Sequence, residues 1–154
     1  MNFLLLLATL LLLAALQVRL PAIPFVGIHL EFLPALVAYG ALTLNLPGLL
    51  TLALATGFTH DALSAGPFGV TGLVYAGTAL LLHNFREAFD RDLPVLQIGA
   101  GILVTLTGAL AIWCFAGFHF SGLWKLVLLA LQAAVITPLL FFGLDFTRYQ
   151  LRAP

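Results

Sequence analysis

The chain has 154 residues, 62% of them hydrophobic and only 8% charged, with six basic and six acidic side chains and no net formal charge. So little polar surface cannot solvate a soluble domain of this size, and lipid must solvate much of the apolar area. The balanced charge and lack of a basic run argue against nucleic acid as a partner. The single cysteine, Cys114, excludes an internal disulfide and a thiolate metal cluster.

A transmembrane helix takes ~20 mostly apolar residues, so six would use roughly 120 of the 154. The rest suffices for short loops. The expectation is one all-α domain over residues 1–154, a polytopic membrane protein built as a bundle of about six transmembrane helices, with no soluble module. The first span covers about 2–18; no basic segment precedes it and further apolar segments follow, so it reads as an uncleaved span and not a signal peptide. A connection with Pro21, Pro24 and Gly27 suits turns. Span two covers about 26–46, with His29 and Glu31 near its start and Pro34 in its first turns. Asn45-Leu46-Pro47-Gly48 reads as a tight turn into span three, about 47–63, because proline is tolerated in a first helical turn. Ser64, Ala65, Gly66 and Pro67 form a helix stop before span four, about 68–83.

The segment 84–93 is the one strongly charged stretch, with Arg86, Glu87, Asp90, Arg91 and Asp92. Glu87 and Arg91 have the favourable i, i+4 order for a short exposed helical turn, and Asp92 is placed to cap span five, about 94–118. After a break at 117–122, span six covers about 123–142, with Pro138 expected to kink it by removing a backbone donor. Six spans with a cytoplasmic N-terminus put Arg86, Arg91, Arg148 and Arg152 inside, against Arg19 and Lys125 outside, in line with the positive-inside rule. Both termini are then cytoplasmic. Trp113, Phe118, Phe120 and Trp124 form one aromatic belt, and Phe142, Phe146 and Tyr149 the other.

No phosphate loop, zinc-protease helix or nucleophile elbow is present, so no enzyme activity and no cofactor are expected. The conspicuous polar pair is His60-Asp61, ~21 Å along a helix that starts at Pro47 and hence near the outer interface. Asp61 has two readings: a functional ionisable group within a span, or an acceptor that fixes the chain reversal between Ser64 and Gly69. His29, Glu31, His60, Asp61 and His119 all fall toward the outer side. Such side chains are zinc ligands by type, but their irregular separations mark no site. Small residues mark helix faces instead. Gly69, Gly72, Ala76 and Ala79 share one face of span four, and Gly101, Thr105 and Gly108 one face of span five. Such faces allow close helix approach, either within the bundle or toward a partner's membrane helix.

The run from Gly57 through Phe58 and Asp61 to Gly69 resembles the signature region of the MreD family. In that family a Gly-Phe-containing helix runs into an Asp, and a Leu-Gly-like pair opens the next span eight residues later. Asp61 and Gly69 hold that spacing and Gly57 stands four residues before the Asp, whereas Phe68 replaces the usual aliphatic residue and Ala53 stands where members often carry glycine. Chain length, six expected spans and the charged loop after span four are also similar. The resemblance implies a non-enzymatic scaffold subunit of the bacterial cell-elongation complex, in the inner (plasma) membrane. It implies binding to an MreC-like single-pass protein, and action with MreB, RodA and its penicillin-binding transpeptidase in lateral peptidoglycan synthesis and cell shape. The runner-up is the substrate-binding subunit of an energy-coupling-factor vitamin transporter, also a small six-helix protein, whose outward pocket His29, Glu31, His60, Asp61 and Trp124 would line. Against it, the first span lacks a clear small-residue docking stripe, with Ala8 followed by Leu12. A channel would need a repeated polar stripe, and the sequence has none.

Overall fold

A computed structural model describes residues 3–20, 29–64, 68–86, 93–116 and 123–152. The described residues form six helices and no strand: α1 (Phe3–Arg19), α2 (Leu33–Thr43), α3 (Leu46–Leu63), α4 (Val70–Phe85), α5 (Pro94–Ala116) and α6 (Leu123–Arg152). Consecutive helices α3 and α4 pack as one pair and α5 and α6 as another; α2 touches α3, α4, α5 and α6, and α1 leans on α3 and α2.

Local chemistry sets the boundaries. α3 carries proline in its first turn, where its missing N–H goes unneeded, and enters from its N-cap Asn45 in the extended conformation usual at that position (φ −74°, ψ 160°). α3 ends at Ser64, also extended, whose N–H donates to the His60 carbonyl. α4 begins after Gly69, which has φ 94°, a left-handed conformation that glycine adopts without steric cost.

Three span boundaries need correction. Span two, expected over 26–46, is a helix only over Leu33–Thr43; His29 to Phe32 are not helical, and Leu44 is already extended (φ −92°, ψ 160°). Proline at the start of α2 and again at the start of α3 leaves room for just 11 helical residues between them. Span four starts two residues later than expected because Phe68 and Gly69 belong to the turn. Span six runs ten residues past 142, to Arg152. The apolar run stops near Phe142, but the backbone stays helical to Arg152, and the Thr147 hydroxyl also donates to the Gly143 carbonyl. Pro138 lies inside α6, which remains one helix. The turn expected from Glu87 to Arg91, the Asp92 cap and the 117–122 break lie outside the described residues.

Among the described residues two helical segments are long and apolar enough to cross a membrane, Pro94–Phe115 and Trp124–Gln150; α1, α2 and α4 are apolar but shorter. α2, at 11 residues, extends ~16 Å against the ~30 Å of a hydrocarbon core. It sits at the centre, with every residue from Leu33 to Leu42 buried.

The exterior is apolar. α6 exposes Val127, Leu131, Val135, Leu139, Phe142, Phe146 and Tyr149, each more than half exposed and spaced three or four apart along one face. α1 exposes Leu4, Leu11, Leu12 and Val18. The interior, by contrast, holds Thr56, His60, Asp61, Thr71, Thr78, Thr105 and Thr137 beside its Leu and Tyr residues. Large aliphatic side chains thus line the exterior as well as the core, whereas a protein in water rarely exposes contiguous apolar patches of this extent. Tyr39 and Phe141 fill the centre edge to face, with centroids 4.8 Å apart at 72°, the arrangement aromatic quadrupoles favour.

Candidate functional site

The α3–α4 hairpin gathers the residues from Gly57 to Gly69. Asp61 is 4% exposed, and its Oδ2 accepts the Gly69 backbone N–H at 2.7 Å. The eight-residue spacing therefore closes a loop: the carboxylate ending α3 holds the residue that opens α4. A charge-assisted hydrogen bond of this kind is stronger than a neutral one, and Gly69 N–H is one of the helix-end donors that the backbone of α4 leaves unpaired. Ser64 Oγ donates to the Asp61 carbonyl at a longer 3.4 Å.

Four residues up α3, Gly57 meets the backbone of Gly72 and Thr71 so closely that a Cβ on Gly57 would lie 2.5 Å from Gly72 N and 2.9 Å from Thr71 C. Two glycine-lined backbones in contact are the close-approach packing that membrane helices use in place of a hydrophobic force. Phe58 covers this junction. Its ring stacks on Phe68 (5.5 Å, 7°) and would contact a Cβ on Gly72 at 3.2 Å.

The small-residue faces also point inward. Gly72 and Ala79 are buried and Ala76 half-buried. A Cβ on Gly101 would run into the Thr137 side chain of α6, and one on Gly108 would lie 2.8 Å from the Tyr75 ring. Thr105 is 4% exposed. Both faces are thus taken up by neighbouring helices of the same chain. Thr78 and Thr107 add a hydroxyl pair at 3.1 Å between α4 and α5.

Of the five residues expected on the outer side, the structure gathers His29, Glu31 and His60 around a cavity of about 630 Å³, together with Gln17 and Ser64. His60 Nε2 lies 3.9 Å from Glu31 Oε1, and the imidazole meets Tyr75 edge-on at 6.0 Å. Among the described residues Asp61 and Trp124 do not line this cavity, and no group of three or more His, Cys, Asp or Glu is placed to hold a metal ion. His119 lies outside them. Gln17 was invisible to sequence reasoning because it reads as the polar end of an apolar span.

Two contacts at the opposite end were also missed. Tyr39 OH donates to Asp145 Oδ1 at 2.9 Å, tying the centre of α2 to the unexpected extension of α6. Arg86 Nη1 donates to the Leu44 carbonyl at 2.7 Å, satisfying an acceptor at the C-terminal end of α2. Each joins residues 106 and 42 positions apart respectively, a distance at which sequence offers no pairing signal.

The chain matches no protein-family model, no curated protein and no solved structure.

Proposed function

We propose that this chain is a non-enzymatic, multi-pass scaffold of the bacterial inner (plasma) membrane, an MreD-like subunit of the cell-elongation complex that regulates cell shape and lateral peptidoglycan synthesis with an MreC-like single-pass partner. The observation that carries the reading is the Asp61–Gly69 hydrogen bond. The two residues whose spacing resembles the family's motif are in direct contact, and Gly57 lies against Gly72 beside them. The motif thereby has a physical purpose, a rigid helix hairpin of the kind a scaffold needs. The apolar exterior of α1 and α6 supports residence in lipid. The short α2 suits a membrane bundle as well, since it is buried from Leu33 to Leu42 among the other helices.

In this reading the small-residue faces of α4 and α5 are spent on internal packing. The exposed face of α6 is the surface left for lipid or a partner's membrane helix. Binding energy is realised between packed helices and nothing is turned over. MreB, RodA and its penicillin-binding transpeptidase are reached through the MreC-like protein.

A second reading is favoured by the cavity lined by Gln17, His29, Glu31 and His60, whose volume falls in the range of small-ligand sites. It is the substrate-binding subunit of an energy-coupling-factor vitamin transporter. Purification from mild detergent separates the two. The scaffold reading expects a single-pass MreC-like protein to co-purify, and depletion in a rod-shaped host to round the cells with vitamin uptake intact. A vitamin retained stoichiometrically by the isolated chain, with normal cell shape on depletion, would refute it.

A further inference from the structure

The scaffold reading leaves the outward face of α6 open either to lipid or to a partner's membrane helix. That face is continuous. From Val127 to Tyr149 it carries a large apolar side chain every three or four residues, and it rises ~33 Å at ~1.5 Å per residue. The hydrocarbon core of a bilayer is ~30 Å thick. Exposure does not fall where hydropathy does, since Phe142 is 73% exposed and Tyr149 75%. Polar groups in the last turns are engaged within the protein. Asp145, the one carboxylate of α6, accepts from Tyr39 OH, and the Thr147 hydroxyl donates to the Gly143 carbonyl.

Both ends suit lipid headgroups. Trp124 is half-exposed, with Lys125 Nζ 6.0 Å from its ring centroid; at the other end Tyr149 follows Arg148. An aromatic ring beside a long-stemmed cation is the combination enriched at membrane interfaces, and the two cations complement the phosphates of both leaflets. Between these ends the face consists of Val, Leu and Phe, whereas helix pairs in membranes are enriched in Gly, Ala, Ser and Thr where they meet.

We propose that this face of α6 is covered by phospholipid through the whole depth of the bilayer. The membrane boundary then lies at Tyr149, about 10 Å beyond Phe142. Asp145 lies ~6 Å inside that boundary and pairs with the bundle interior, as ionisable side chains within spans do. A partner's helix docks elsewhere on the bundle. Placing lipid here rests on the membrane residence of the scaffold reading.

The test uses the full chain with Cys114→Ser and one cysteine at a time in place of Val127, Leu131, Leu139, Phe142, Phe146 or Tyr149. All six side chains are exposed, so the substitutions leave the core untouched. Each variant is spin-labelled and reconstituted in phosphatidylcholine–phosphatidylglycerol liposomes. Electron paramagnetic resonance saturation then compares collision with oxygen, which concentrates in hydrocarbon, and with a water-soluble nickel chelate. Oxygen should exceed nickel from Leu131 to Phe146, most of all at Leu139, and the two should converge at Val127 and Tyr149. Nickel in excess at Phe142 and Phe146 alone would put the last turns in water and overturn the boundary with membrane residence intact. Nickel in excess at every position would refute residence itself. Little collision with either reagent would mean that a second copy covers the face, and would overturn the proposal too. A photo-crosslinker at Leu139 or Phe146 in living cells extends the test to partners: no protein adduct is expected, and a discrete adduct at either position would sink it.

Discussion

Gly57→Ala is the most informative single substitution in this protein. A Cβ at position 57 would lie 2.5 Å from Gly72 N and 2.9 Å from Thr71 C, against the 3.4–4 Å of ordinary contact. The obstacle is backbone on both counts, so no side chain can swing aside, and α3 and α4 must separate by about 1 Å to admit one methyl group. Overpacking of this kind costs about 1–3 kcal/mol. At about 2–4 °C of Tm per kcal/mol for a chain of this size, the melting temperature should fall by about 2–12 °C. Two neighbouring glycines calibrate the effect. Gly72→Ala meets Phe58 ring atoms at 3.2 Å and the Leu54 carbonyl at an ordinary 3.8 Å, and Phe58 is a side chain 41% exposed that can shift by a few tenths of an ångström, so the loss should be small. Gly72→Leu, too large for that adjustment, should be disruptive. Gly77→Ala meets nothing within 4 Å and should stabilise by up to ~1 kcal/mol through helix propensity alone. Thermal unfolding in one detergent, with monodispersity checked by gel filtration, ranks the series. If Gly57→Ala melts together with Gly77→Ala, the backbones of α3 and α4 do not touch at this point and the hairpin argument fails.

Three further outcomes are expected. Asp61→Asn should retain much of the stability and cellular function, because an amide oxygen still accepts the Gly69 N–H, whereas Asp61→Leu should lose both; complete loss in Asn at normal protein level would instead make the charge essential. Tyr39→Phe should destabilise by about 1.5–3 kcal/mol, the range for a hydrogen bond to a charged group, as read by thermal unfolding; an unchanged melting curve would show the Asp145 contact to be without consequence. In a Cys114→Ser background, a cysteine at Ala62 should react with an impermeant thiol reagent in intact cells and one at Asn84 should not. The reverse pattern would invert the orientation.

Helix identity and number were legible because they rest on local chemistry. Apolar runs, the turn prolines Pro34 and Pro47, and the stop after Leu63 each act within a few residues, and α1 and α3 fall within a residue of the expected bounds. The errors arose where local signals were misweighted. α2 was drawn too long because apolar residues continue on both sides of it, although Pro34 limits where its helix can start. α6 was drawn too short because hydropathy falls at Asp145 and Arg148 while the backbone stays helical. Hydropathy measures the solvent a segment prefers, not where its hydrogen bonding ends.

Long apolar runs and few charges dictate the all-helical class and the apolar exterior, and residue order alone supplies the spacing that lets Asp61 reach Gly69. Tertiary structure alone decided which faces meet: that Gly57 lies on Gly72, that Gly101 admits Thr137, that Tyr39 finds Asp145, and that Gln17, Glu31 and His60 border one cavity. The reason is physical. In a helix whose residues are apolar on every side, periodicity no longer separates a core face from an outer one. The faces that turn inward are then set by how closely particular small and large side chains fit together, and that fit exists only once the helices are assembled.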